Sequence, residues 1–332
     1  MRDSNAKTET KISKVVIPVA GAGSRMLPVT KSQPKEMLPV GRKPVVQYVV
    51  EEALAAGLDK VLFVTGRQKE SIEEHFDRDP VLEQRLRDAG RIDILDELSF
   101  AQAAAQFFFV RQSRPTGLAD AVAEAEDFVG DAPFAVSLGD SIIASDSPGR
   151  LLDHMIQCHH RTGAACVLAL EEVPAEDVHH YGVAQLEAEG NRWSRVRDLV
   201  EKPEPGREPS RLTLAGRYLF TPEIFSCIRA TPQISRTGSR ELTDAVRVLI
   251  QKGADVYGVK LDENERRYDI RDFASYFRAF FDFALEDERV GYTLWQHLIR
   301  RGLEPDPLLG VPGGPPGAGL KTSESFDEAQ DP

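Results

Sequence analysis

The sequence predicts an α/β protein built on a doubly wound, mainly parallel sheet, and three observations carry that prediction. Short apolar runs recur along the chain and end in turn residues, as buried strands do. Stretches with apolar residues at helical spacing lie between the early runs, and strand–helix alternation favours parallel pairing through crossover helices. The first run empties into the glycine-rich turn GAGSR, and ligands of such sheets bind beyond the carboxyl ends of the strands.

The elements follow in order. Val15 to Val19 is the first strand. Pro44 to Ala56 sets Val45, Val46, Val49, Val50 and Leu54 at helical spacing, with Gly57 as the stop. Lys60 to Thr65 is the next buried strand and Gln68 to Phe76 a helix. Phe107 to Val110 and Phe134 to Leu138 are further strands, so Ala20 to Arg25 and Gly139-Asp140 fall at one rim. The later strands are Ala165 to Leu170, Val183 to Leu186, Leu212 to Phe220 and Val256 to Lys260. The later helices are Glu241 to Gln251, Phe273 to Leu285 and Gly291 to Arg300. No internal repeat is evident. Residues 1–12 read as a flexible polar N-terminus, 13–303 as one catalytic domain, and 304–332 as a disordered Pro/Gly-rich tail.

A chain of 332 residues with 41% hydrophobic content buries a sizeable core. Its formal net charge of -12 argues against nucleic acid as a partner, since that polyanion needs clustered Lys and Arg. A nucleotide site must then be a local cationic pocket. No apolar run reaches about 18 residues, so no membrane-spanning segment is expected, and MRDSNAKTETKIS lacks a signal-peptide core. Cys158, Cys166 and Cys227 show neither CxxC nor zinc-ligand spacing and read as reduced thiols of a cytoplasmic protein.

Four groups of residues carry chemistry. In the first, Gly21 and Gly23 let backbone N–H groups approach phosphate, and Arg25 adds a guanidinium fork. Pro28, Pro34 and Pro39 make the following segment stiff and non-helical, holding Lys35 near the glycines. A Walker A pattern is absent, and Met26 stands where the dinucleotide fingerprint needs its third glycine. Taken alone, the loop also reads as a surface turn with solvated charges. In the second group, Gln112 offers a carboxamide to a base edge and Gly117 a close backbone approach. The third pairs Asp140, delivered by a strand, with Asp269, just beyond another; two carboxylates on separate elements suit magnesium that also takes phosphate oxygens. In the fourth, Glu201 can accept sugar hydroxyls and Lys202 can bind a phosphate. The pairs His159–His160 and His179–His180 lack i, i+4 spacing and read as surface or structural.

GAGSRMLPVTKSQPKEMLPVGRKPVVQYVVEEALAAG resembles the opening of the sugar-phosphate nucleotidyltransferases, and among them the bacterial UTP–glucose-1-phosphate uridylyltransferases, or UDP-glucose pyrophosphorylases. The PKEMLPV form is closer to these than to thymidylyltransferases. VRQSRPTGLADAV, LGDS, HHYGV, VEKP, GRY, SRELTDAV and RYDIRD follow in family order, so the resemblance spans about residues 13–286. It implies the nucleotide-diphospho-sugar transferase fold, with a Rossmann-like mixed sheet. Ala20, Gly21 and Gly23 are implied to line the nucleotide, Arg25 and Lys35 to hold its triphosphate, Glu36 to face the nucleoside, and Gln112 and Gly117 to contact uracil. Asp140 and Asp269 are implied to bind Mg2+. Gly182 and Gly216 are implied to touch the sugar through backbone, Glu201 its hydroxyls, and Lys202 its phosphate. The implied reaction makes UDP-glucose and pyrophosphate from UTP and glucose 1-phosphate, in a cytoplasmic homodimer or homotetramer.

The chain departs from the family pattern at several positions. Ala119 and Arg271 stand where glycine is usual, and Ser239 and Glu241 replace Glu and Gln. Arg271, two residues past Asp269, is placed to crowd the metal site or to point outward. These departures keep open a dTTP- or N-acetylhexosamine-dependent relative and, from another class, a non-catalytic regulatory paralogue.

Overall fold

A computed structural model describes residues 11–98, 105–188, 192–233 and 239–301. The chain runs β1 (Lys14–Pro18), β2 (Pro39–Val40), β3 (Lys43–Pro44), α1 (Val45–Ala55), β4 (Lys60–Thr65), α2 (Glu70–Phe76), α3 (Pro80–Asp88), α4 (Ile92–Leu98) and β5 (Gln106–Arg111). It continues with α5 (Leu118–Ala123), α6 (Glu126–Val129), β6 (Phe134–Ser137), β7 (Ser141–Ser145), α7 (Arg150–Thr162), β8 (Cys166–Glu172), β9 (Gly182–Leu186), β10 (Trp193–Glu201) and β11 (Leu212–Phe220). The last elements are α8 (Glu223–Ala230), α9 (Leu242–Gln251), β12 (Val256–Lys260), β13 (Glu265–Asp269), α10 (Phe273–Glu286) and α11 (Gly291–Arg300).

The main sheet has the order β5-β4-β1-β6-β11-β8-β12-β10-β9. Parallel pairing joins β5, β4, β1 and β6, and again β8 and β12. β11 and β10 run against the rest, which gives the expected mixed, mainly parallel sheet. Strand residues alternate between two cores. Val15, Ile17 and Phe63 pack with Val49, Ile72 and Leu152 on one face; Val16, Leu62 and Phe134 pack with Val122, Phe225 and Leu249 on the other. Burial on both faces is why these strands read as continuous apolar runs. A third core joins Met26, Leu38 and Val45 to Ile142, Tyr268 and Ala279, and so fixes the ribbon of β7 and β13 beneath the glycine loop.

All the anticipated strands and helices are present. The sequence pattern does not mark α3, α4, α6, α7 and α8, nor the short strands β2 and β3. In α7 the His, Arg and Gln residues of RLLDHMIQCHHRT dilute an apolar stripe of Leu151, Leu152, Met155 and Cys158. Of residues 1–12 only Lys11 and Ile12 are described, and Ile12 is buried. The expected tail at 304–332 lies outside the described residues. Among those residues, no helix is long and apolar enough to cross a membrane. All three cysteines are buried and free.

Candidate active site

The glycine loop leaves β1 at the carboxyl end of the sheet. Val19 still donates its N–H to the Val64 carbonyl (2.9 Å), and then Ala20 and Gly21 line a cavity of about 320 Å³ together with Lys35, Glu36, Gln112 and Gly117. A side chain at Gly21 would meet nothing within 4 Å, so the space above it is open. Gly23 holds a left-handed φ of 63°, and its carbonyl accepts the Thr30 hydroxyl at 2.8 Å, folding the loop back. The proline-rich segment that follows is not wholly non-helical as expected. It contains single 3-10 turns at Val29–Lys31 and Lys35–Met37, each preceded by proline. Proline blocks an α-helix interior but presets φ for the start of a turn.

The second of these turns aims Lys35 and Glu36 to different partners. The Lys35 ammonium pairs with the Asp140 carboxylate. Glu36 is buried and bound by Lys69 Nζ at 2.7 Å. Burial raises the Glu36 carboxyl above its ordinary value, and Lys69 and Lys35 offset part of that rise. Nothing local in the sequence marks Lys69, which stands at the start of α2 among other charged residues.

Gln112 is buried at the cavity wall, its N–H donating to the Thr65 carbonyl (2.9 Å). Gly117 has a φ of 116°, and a Cβ there would collide with the Arg240 carbonyl. Its close approach is therefore to another segment of the chain. Ala119 is buried in α5 without disturbing it.

Asp140 and Asp269 do meet. Antiparallel pairing of β7 and β13 sets Asp269 opposite Ser141, and Ile270 donates its N–H to the Asp140 carbonyl at 2.9 Å. Burial and then the charge of Asp140 raise the Asp269 carboxyl above its ordinary value. Burial alone would raise Asp140 too, but the charge and hydrogen bond of Lys35 hold it below the ordinary range. Lys35 in turn is raised: desolvation is outweighed by Asp140, Glu36 and Asp269. The cluster thus sets the ammonium groups of Lys35 and Lys69 against the three carboxylates Glu36, Asp140 and Asp269. One carboxylate is in excess, and all its ligand atoms are hard oxygens. That donor set fits magnesium, which binds through one or two carboxylates plus phosphate and water. No group of three or more His, Cys, Asp or Glu poised for a metal occurs among the described residues.

A second cavity of about 200 Å³ opens on the other side of Asp140, with Gly182, Glu201, Lys202 and Asp269 in its wall. Leu118, Leu138 and Asp140 line both cavities. β10 ends on Glu201, and Lys202 takes a left-handed φ of 43°, which is costly for a residue other than glycine. The N–H of Lys202 donates to the Tyr181 carbonyl (3.0 Å) and its ammonium lies 2.8 Å from Glu201 Oε1. Desolvation lowers Lys202, but the hydrogen bond and charge of Glu201 leave it raised. The other Glu201 oxygen accepts the Thr243 hydroxyl at 2.7 Å. A Cβ on Gly182 would lie 2.8 Å from Thr243 Oγ1 and 3.2 Å from Glu201 Oε2, so glycine there protects the carboxylate's position.

Several expectations need correction. Gly216 is buried behind Leu138, whose N–H donates to the Gly216 carbonyl (3.0 Å), and lines neither cavity. With φ at 78° it serves the bulge in β11 between Leu214 and Tyr218. His180, read as surface or structural, faces the second cavity. Burial, Arg271 and, more weakly, Arg25 hold it below its ordinary value. Arg25, expected to hold the triphosphate, is exposed and lines neither cavity, within electrostatic reach of His180 and Lys202. Arg271 does not line the second cavity. Its guanidinium lies 5.7 Å from the Tyr181 ring and 3.3 Å from Asp272, in an adjoining hollow of about 380 Å³ that shares Tyr181, Arg267 and Asp269 with the second cavity, and its charge reaches Asp269.

Three arginines were missed. Arg267 is buried, bonds Glu171 at 2.6 Å and stacks 4.3 Å from the Tyr181 ring in the second cavity. It stands two residues before Asp269 on one strand, hence on the same face, and that spacing was the available signal. Arg217 is 0% exposed, forks onto Glu52 (2.6 and 3.0 Å) and donates to the Ser141 (2.8 Å) and Gly216 (3.2 Å) carbonyls. Arg240 bonds Asp120 at 2.7 Å.

Residues 14–286 match the nucleotidyl transferase family. The UTP–glucose-1-phosphate uridylyltransferase of Staphylococcus epidermidis is 41% identical over 285 residues, 86% of this chain and 96% of that one. The Bacillus subtilis enzyme of the same name is 40% identical over 282 residues, 84% of this chain and 94% of that one. Among solved structures, a UTP-bound UGPase from Acinetobacter baumannii superimposes with a TM-score of 0.79 at 33% identity, covering 87% of this chain and 99% of that one.

Proposed function

Because the chain belongs to the nucleotidyl transferase family, and within it to the UTP–glucose-1-phosphate uridylyltransferases, we propose that it makes UDP-glucose and pyrophosphate from UTP and glucose 1-phosphate. The observation that carries this reading is the pair of cavities that share Asp140. UTP occupies the glycine-loop side, with its base at Gln112 and the Gly117 turn. The sugar phosphate occupies the side of Glu201 and Lys202. The α-phosphorus of UTP and a phosphate oxygen of the sugar phosphate then face each other at Asp140.

A phosphate oxygen of glucose 1-phosphate attacks the α-phosphorus in line. The bond to the bridging oxygen of the β-phosphate breaks, and pyrophosphate leaves with that electron pair. The nucleophile is already ionised at neutral pH, so no general base is needed. Catalysis comes from positioning and charge neutralisation. Lys202 draws the sugar phosphate in, Glu201 orients the hydroxyls, and Arg25 and Lys35 offset the triphosphate charge. Asp140 and Asp269 would hold a magnesium ion, which when bound neutralises charge on the phosphate oxygens.

The alternatives, a dTTP- or N-acetylhexosamine-dependent relative and a non-catalytic regulatory paralogue, are separated by one experiment. Pyrophosphate release is measured with a panel of triphosphates and sugar phosphates plus magnesium. Release with UTP and glucose 1-phosphate above all other pairs is expected. UTP binding without release would favour the regulator. Arg271 lies outside the wall of the second cavity but its charge reaches Asp269 and His180, so an Arg271→Gly variant belongs in the same panel.

A cytoplasmic homodimer or homotetramer is part of the proposal. The exposed Phe277, Phe280 and Phe281 on α10 support self-association, at 59%, 40% and 49% exposure. A monomer by light scattering would overturn it.

A further inference from the structure

The base-side turn and the sugar-side carboxylate are tied together by one short strap, the segment from Ser239 to Thr243. On the base side the strap meets the turn between Gln112 and α5 through paired backbone bonds. Arg240 donates its N–H to the Thr116 carbonyl at 2.8 Å, and Ala119 donates to the Arg240 carbonyl at 3.2 Å. The Gly117 backbone lies so close to Arg240 that no side chain fits between them. On the sugar side the strap starts α9. Thr243 in its first turn donates to Glu201 at 2.7 Å, and Glu241, at its N-cap, lines the sugar cavity within reach of the Lys202 charge.

The Arg240 side chain anchors this strap from both ends. Its Nη1 bonds Asp120 Oδ1 on α5 at 2.7 Å, and its Nε bonds the Thr231 carbonyl beyond α8 at 2.9 Å. The side chain is largely covered, at 30% exposure, as is Asp120 at 15%, so the pair is shielded from much of the screening that weakens exposed ion pairs. A single guanidinium thus fixes the height of the strap relative to the base-side turn. The strap then fixes where Thr243 holds Glu201.

We propose that Arg240 is a positioning residue that couples the two substrate subsites. It touches neither substrate. When a base settles against Gln112 and the Gly117 turn, the Arg240 backbone bonds carry that order into the start of α9. Glu201 is then held ready for sugar hydroxyls, and nucleotide and sugar phosphate each tighten the binding of the other. The reciprocity is a thermodynamic requirement of such coupling. This rests on the assignment of the two cavities given under the proposed function.

The test is an equilibrium one, so it does not depend on turnover. Glucose 1-phosphate is titrated calorimetrically into the full chain with magnesium, with and without saturating α,β-methylene-UTP, whose bridging carbon blocks transfer. In the wild type the nucleotide should tighten glucose 1-phosphate about tenfold, within the range of about 5–150-fold common for coupled sites. Arg240→Ala should bring that factor close to one while leaving the affinity of each ligand alone within about twofold. Asp120→Ala removes the same anchor from the α5 side without touching the strap, and should reproduce the loss. Arg240→Lys should restore part of it. If Arg240→Ala and Asp120→Ala both fold, by their melting curves, and both keep the wild-type factor, the proposal is wrong. Equal weakening of each ligand alone, with the factor intact, would also overturn it, because that pattern marks a merely structural role. A wild-type chain that releases no pyrophosphate counts against the proposed reaction, while the titration still reads the coupling.

Discussion

Replacing Arg217 with methionine tests how much of the site's geometry rests on one buried charge. The Arg217 guanidinium is fully buried and its only charged partner among the described residues is Glu52, itself 4% exposed. Methionine fills similar volume but leaves the Glu52 carboxylate buried and unpaired. Breaking a buried pair from one side costs about 3–5 kcal/mol. For a fold spanning residues 11–301, a specific unfolding entropy of about 2.1 cal/mol/K per residue gives about 0.6 kcal/mol/K. The melting temperature should then fall by about 5–8 °C. The double change Arg217→Met with Glu52→Leu should recover most of that fall, since an apolar pair of similar size often replaces a buried ion pair at little cost. Activity should not recover, because the Ser141 carbonyl beside Asp140 loses its donor in both variants. Scanning calorimetry and pyrophosphate release on the same preparations decide the matter. A loss below about 2 °C for Arg217→Met would refute the reasoning, as would full turnover in the double variant.

Four further outcomes are expected. Lys35→Ala should lower turnover about 10²–10³-fold, the usual cost of removing one preorganised electrostatic stabiliser; full turnover would sink its assignment. Asp269→Asn should abolish turnover yet stabilise the metal-free protein. The folded state raises the Asp269 carboxyl, so its contribution to stability is present below the unfolded value of about 3.9 and is lost as pH rises through the folded value. Removing the carboxylate should therefore raise the melting temperature at pH 8 by about 1–3 °C and change little at pH 3.5. Gly117→Ala should raise the KM for UTP about tenfold or more, since the strained φ and the collision with Arg240 must be relieved by moving the base-side turn; an unchanged KM in steady-state kinetics would contradict that. Burial pushes the Cys158 thiol up to about 11 and raises Cys166 well above its ordinary value, and Cys227 is buried. An aromatic disulfide reagent at pH 8 should label none of them before denaturation and all 3 after it.

The sequence by itself determined the strand ends and what they carry. Apolar runs end where the sheet ends, so the glycine loop and Gly139-Asp140 could be placed at one rim from spacing alone, whereas Glu201 ends a strand that runs against its neighbours and needed the fold to place it. Gly23 was legible as a glycine that lets backbone N–H groups come close to phosphate after a buried strand; its left-handed φ is known only from the fold. The legible parts are local facts, written within a few residues of where they act. The tertiary structure alone decided which distant charges share a site. Asp269 joins Asp140 through the pairing of β13 with β7, and no local pattern encodes that register. Lys69 neutralises Glu36, Arg217 closes on Glu52, and Arg240 reaches Asp120, all across gaps in sequence that only the folded chain closes. The same reason explains Arg271. Its neighbours in sequence put it near the metal carboxylates, and the fold keeps its charge within reach of Asp269 while turning the guanidinium onto Tyr181 and Asp272, outside the second cavity's wall. A side chain's direction beyond a strand end depends on the loop's packing, and packing is a property of the whole fold.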